Sequence, residues 1–182
     1  MPPCGGVPRE LVWPSVVSPN VMKTIPREVV EPIIERFEAL DENELQPRFK
    51  RFSEEQPHLM TYLLVGDEEF VEEERRGDLI YLGLLTYEVL SGERGGLPSA
   101  GEEVVVAADD ANLQTLMSLD ESSEAQFAEA NERMLATYNQ RHLLTALLEI
   151  LMAGNEETPE LAPESVGTSL MHLKTVIDCL DR

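Results

Sequence analysis

Apolar residues return every three or four positions over most of the chain, the spacing of helices that bury one side. Ile25, Val29, Ile33, Phe37 and Leu40 form one such stripe with Val30 and Ile34, while Arg27, Glu28, Glu31, Glu35 and Glu38 fall mostly opposite. This predicts an amphipathic helix over Pro26–Leu40, either kinked at Pro32 or beginning at Glu31 with Pro32 in its first turn. Glu44–Phe52 gives a shorter helix broken by Pro47. Pro57 opens another through Leu64, carrying Leu59, Met60, Leu63 and Leu64. Beyond Gly66, Phe70 and Val71 mark a continuation over Asp67–Arg76 with Glu68, Glu69, Glu72, Glu73 and Glu74 toward water.

Asp78–Ser91 departs from that one-sided pattern. Leu79, Ile80, Tyr81, Leu82, Leu84, Leu85, Tyr87, Val89 and Leu90 cover nearly the whole circumference of a helix, and Glu88 is the only charge after Asp78. Asp78 after Gly77 reads as an N-cap and Gly92 as a stop. The stretch is shorter than the roughly 20 residues needed to span a bilayer, so it is expected to be a buried central helix entered by a tight turn at Gly77. Gly92–Gly101 reads as a loop. Ser99–Glu102 matches a capping box, so helix is expected to Leu119 although Val104, Val105 and Val106 favour strand. Ser122–Ala153 reads as the longest helix, opened by a capping box at Ser123–Gln126. Its apolar stripe changes side between Phe127–Tyr138 and Leu143–Leu151, so it bends near Asn139–Arg141 or changes partners there. Thr168–Leu180 closes the chain with Leu170, Leu173, Val176, Ile177 and Leu180 inward.

The expected fold is therefore all-α: one helical bundle over residues 25–182, of six or seven helices around residues 78–91. Residues 1–24 form an extended arm, because Pro2, Pro3, Pro8, Pro14 and Pro19 with Gly5 and Gly6 forbid a helix. Trp13, Val16 and Val17 are its candidate interface residues, docking on the arm's own domain or exchanged with a second subunit.

Charge changes the functional picture. Thirty-five acids against 14 bases give a net charge of −21. Such a field repels nucleic-acid backbones and anionic membranes. It fits general solubility, including in a salty host, or a surface that mimics nucleic acid, as an acidic inhibitor would, or attracts a basic partner. Cys4 and Cys179 are far apart without zinc spacing, and no leader or membrane stretch is read, so a reducing, cytoplasmic setting is expected. No metal or cofactor is expected. Glu55 and His58 are the only Glu-x-x-His pair, split by Pro57, whereas a di-iron bundle needs two. The acids at 67–74 read as a solvated face. No nucleophile motif or phosphate loop appears.

Glu88, alone among apolar residues, is expected either at the rim or buried with a partner such as Arg, where it would line a pocket. Tyr81, Tyr138 and His142 are the residues expected to share that pocket, although a histidine at a core edge more often just donates to a carbonyl. The reading these features favour is a non-catalytic interaction or scaffold module binding protein, including a second copy as a homodimer. A small-ligand binder or enzyme with a pocket near Glu88 and His142, and the nucleic-acid mimic, are the alternatives.

Overall fold

Two helices that pack directly on each other between them contact every other long helix of the described residues. The computed structural model describes residues 22–65, 73–120, 132–153 and 163–182. Its helices are α1 (Arg27–Glu38), α2 (Glu42–Glu55), α3 (Pro57–Val65), α4 (Glu73–Arg94), α5 (Glu102–Asp120), α6 (Arg141–Ala153) and α7 (Pro163–Leu180), with a further helical segment at 132–137. No strand occurs among the described residues, and none of their helices is long and apolar enough to cross a membrane. The all-α bundle is as the periodicity requires. Val104–Val106 are helical, because they lie in α5 with no strand among the described residues to pair with.

α4 packs against α1, α2, α3 and α7, and α7 against α4, α5 and α6. α4 is buried on almost every side through Leu79, Leu82, Leu84, Leu85, Tyr87, Val89 and Leu90. Each fully buried aliphatic side chain contributes roughly 1.5–3 kcal/mol, which makes this helix central as expected. Its ends differ from expectation. Gly77 and Asp78 lie inside the helix, not at a turn and a cap, and Gly92 is also interior. The stop comes at Gly95 and Gly96, whose φ of 71° and 143° suit glycine; the Gly95 amide closes back on the Ser91 carbonyl at 2.9 Å.

The proline helices also run further than expected. Pro32 and Pro47 each lie well inside a continuous helix, α1 and α2. Both rings are exposed, so the carbonyl that each leaves without a partner amide has access to water. α2 begins at Glu42 because Asp41 and Glu44 form a reciprocal capping box, at 3.0 and 3.1 Å. α5 starts at Glu102, not at the Ser99 box. The expected long helix to Ala153 is interrupted: residues 132–137 are helical, Tyr138–Gln140 are not, and α6 starts at Arg141, as the change of apolar face had suggested. Its opening Ser123–Gln126 box lies outside the described residues, as do residues 67–72.

Two buried glutamines at helix junctions hold irregular chain against the bundle. Gln56, between α2 and α3, accepts from the Ala100 amide at 2.9 Å and donates to the Pro98 carbonyl at 3.1 Å. Gln140, ahead of α6, accepts from the Ile25 amide at 3.1 Å and donates to the Lys23 carbonyl at 3.2 Å. Asp181 completes the second clamp by accepting from the Met22 amide, Asn139 and Gln140. The described chain thus begins pinned beside its own C-terminus.

Candidate functional site

Glu88 meets α2 through two arginines a turn apart. Arg48 donates to its Oε2 at 2.5 Å and Arg51 to its Oε1. The Glu88 side chain is 10% exposed, against 39% and 48% for the arginines. Next to it the Tyr87 hydroxyl donates to Glu55, the Tyr87 ring packs on Phe52 with centroids 5.0 Å apart, and the Arg51 guanidinium lies 5.5 Å over the Tyr87 ring. Burial, reinforced by the Glu55 carboxylate, pushes the Tyr87 hydroxyl up to about 12. A cleft of about 350 Å³ opens beside these groups, lined by Arg51, Glu55, Tyr87, Glu88, Ser91 and the glycines at 92, 95 and 96.

None of the other three expected pocket residues lines this cleft. Tyr81 lies two turns away on α4, its ring 5.1 Å from Phe37. His142 is half-buried in the first turn of α6. Tyr138 donates to Asp178 on α7 at 2.7 Å, under the Lys174 ammonium, which lies 4.8 Å from its ring centroid. The α4 helix and the C-terminal half of the fold thus hold them apart. Trp13, Val16 and Val17 lie outside the described residues.

Tyr138 belongs instead to a polar network that ties α3, α5 and α7 together. Asp178 accepts from Lys174 at 2.7 Å and from Asn112 at 3.1 Å, and Asn112 also donates to Thr175 at 2.9 Å. Further along, Tyr62 on α3 donates to Asp109 on α5, and its oxygen lies 2.6 Å from His172 Nδ1 on α7. With the tyrosine proton committed to the carboxylate, that contact requires His172 to donate from Nδ1. Burial first, then Asp109, raises the Tyr62 hydroxyl far above its usual range; burial and Asp178 do the same for Tyr138. Among the described residues no buried side-chain nitrogen or oxygen lacks a hydrogen-bond partner. Polar groups paired with one another in this way rigidify a core.

The outer face of α5 is built differently. Val105, Asn112 and Leu116 turn inward, which leaves the next residue in each case, Val106, Leu113 and Met117, outward. These three are 53%, 37% and 63% exposed. At steps of seven and four they fall within an arc of about 40° and make one stripe. Glu102, Glu103 and Asp110 are exposed on the same side, and α5 contains neither Lys nor Arg. Periodicity alone hid this face, because the valines at 104–106 raised strand as an alternative and an apolar residue carries no label for inward or outward.

No protein-family model, curated protein or solved structure matches the chain. Among the described residues no group of three His, Cys, Asp or Glu side chains is placed to hold a metal ion.

Proposed function

We propose that this chain is a non-catalytic interaction module that receives a basic, amphipathic segment of another protein across the outer face of α5. The observation that carries the reading is the exposed stripe of Val106, Leu113 and Met117 flanked by Glu102, Glu103 and Asp110. An apolar strip bordered by carboxylates complements a helix that presents apolar anchors bordered by Lys or Arg. The net charge of −21 acts in the same direction by steering basic partners inward and repelling a second copy. The Glu88 cleft supports a ligand site less well. Arg48 and Arg51 are both engaged by the Glu88 carboxylate, which makes this group a clamp between α2 and α4. Exposed acids are spread over α1, α2 and α5, a distribution that favours general repulsion over mimicry of one nucleic-acid groove.

The test is fluorescence anisotropy with a labelled amphipathic Leu/Lys peptide, and with a Leu/Glu peptide of the same pattern. Binding of the first alone, weakened at least tenfold by Val106→Ser with Met117→Ser, is expected. Equal affinity of the doubly substituted protein would show that bulk charge, not the α5 stripe, attracts the peptide.

A further inference from the structure

We propose that the chain's own N-terminal arm lies along the α5 stripe through Leu11–Val17 and competes with the incoming segment; this rests on the reading of α5 as the binding face. The first argument is where the described chain begins. Met22 is fixed beside Asp181, one turn or less past α7, by its amide at 3.1 Å. At the same end, the Cys179 thiol meets the carbonyl of Val104 in the first turn of α5 at 3.9 Å. The arm is therefore released next to the end of α5 that carries Val106.

Length is the second argument. Val106 to Met117 covers eleven steps of helix, about 16 Å. A seven-residue segment such as Leu11–Val17 reaches roughly 20 Å when extended, and the residues between Val17 and Met22 supply about as much again as a lead. Val17 then falls near Val106 and Leu11 near Met117. The third argument is charge. Arg9 and Glu10 are the only charged side chains in residues 1–21, so residues 22–182 carry the entire −21. A nearly uncharged segment with Leu11, Val12, Trp13, Val16 and Val17 is the part of this chain best able to approach α5 without repulsion. An arm from a second copy would bring a second acidic body with it, which places the contact within one chain.

Trp13 is the chain's single tryptophan, so the full-length protein reports on the contact directly. Its emission is expected to lie to the blue of exposed tryptophan, with acrylamide quenching reduced several-fold, at every protein concentration from below to above the micromolar range. Val106→Glu with Met117→Glu, both at positions more than half exposed, is expected to move the emission to the red and restore quenching while leaving the urea midpoint in place. Exposed emission in the unsubstituted protein overturns the proposal. So does buried emission that ignores the α5 substitutions, which would place the arm elsewhere, or protection that appears only as dimers form in light scattering, which would assign the arm to a second copy. The Leu/Lys peptide separates this proposal from the one it rests on. If the arm covers the stripe nine-tenths of the time, Trp13→Ser with Val16→Ser in the full chain tightens peptide binding about tenfold. A Trp13 response without peptide binding to that variant would sink the partner reading and leave the arm contact standing; tight peptide binding with no Trp13 response would do the reverse.

Discussion

Replacing the glycines of α4 one at a time by alanine separates the boundaries and the packing of that helix. Gly77, Gly83 and Gly92 all lie within Glu73–Arg94. In the interior of a helix, Gly→Ala stabilises by roughly 0.5–1 kcal/mol, from backbone entropy alone. At Gly77 and Gly92 a new Cβ would meet nothing within 4 Å, so both substitutions should give that gain. At Gly83 the Cβ would fall inside the contact distance of Leu63 Cδ1, with Cδ2 and Cγ at 3.5 and 3.6 Å. The atom in the way is the end of a flexible side chain, but Leu63 is 1% exposed and has no solvent to move into. Overpacking of this kind costs about 1–3 kcal/mol. After the propensity gain, Gly83→Ala should lose between roughly 0 and 2.5 kcal/mol, and it should fall below the other two variants by about 1–3 kcal/mol. Urea denaturation at constant m-value measures all three. Leu63→Ala supplies the second edge of a double-mutant cycle, since the methyl at 83 then partly fills the space and a coupling of roughly 0.5–3 kcal/mol is expected. Equal stabilisation by all three alanines would show that α3 does not cross α4 at Gly83. Destabilisation by Gly77→Ala would show that the helix starts at Asp78 after all.

Three further outcomes follow from the polar contacts and burial of the bundle. Glu88→Gln leaves Arg48 and Arg51 facing a neutral amide in a mostly buried position and should cost about 1–3 kcal/mol in urea denaturation, whereas Glu31→Gln, opposite the exposed Arg27, should leave the midpoint unchanged; equal effects would refute the burial argument. Asp181→Asn turns one of two accepting oxygens into a donor that must face either the Met22 and Gln140 donors or that of Asn139, and should cost roughly 1–3 kcal/mol and speed hydrogen exchange at the Met22 and Ile25 amides; unchanged exchange would argue against the clamp. Burial pushes the Cys179 thiol from 9.0 up to about 12 and the Tyr87 hydroxyl from 10.0 up to about 12. Because both are raised in the folded state, the stability they confer is complete below about pH 9 and is lost as pH rises through 9–12, so urea midpoints should fall steadily over that window; a flat profile would show that neither group is buried.

The helices were legible where burial is one-sided or complete. The stripe of α1 and the apolar circumference of α4 can be read from residue type alone, because water excludes those side chains whatever packs on them. The helix ends were less legible. Gly77 and Gly92 looked like punctuation, yet among the described residues only Gly95 and Gly96 adopt the positive φ that glycine serves, and φ is set by the turn that follows rather than by the residue. The least legible part was α7. His172, Lys174, Thr175 and Asp178 resemble a solvated face in sequence, but their partners Tyr62, Asn112 and Tyr138 come from 40–110 positions earlier, and no local window contains them. Glu88 was visible as an anomaly while Arg48 and Arg51 were not: an isolated acid in an apolar helix demands a partner without saying which of eleven arginines supplies it.

The same reasoning links the α5 face to the polar network. A core with only ten aromatic side chains in the whole sequence has few large anchors, and α3, α5 and α7 gain their mutual register from hydrogen bonds that fail if any helix slides by a residue. Asn112 and Asp109 hold the inward side of α5 to Thr175, Asp178 and Tyr62, so the helix cannot rotate to hide Val106, Leu113 and Met117 without leaving buried donors and acceptors unpaired at about 1–3 kcal/mol each. Exposure of the stripe is therefore enforced by the inward side. It follows that Asn112→Leu, which removes the polar anchor and supplies an apolar one, should loosen that enforcement: peptide affinity at the α5 face should fall even though residue 112 is buried and touches no partner, and retention of full affinity would show that the stripe is held outward by something other than the network.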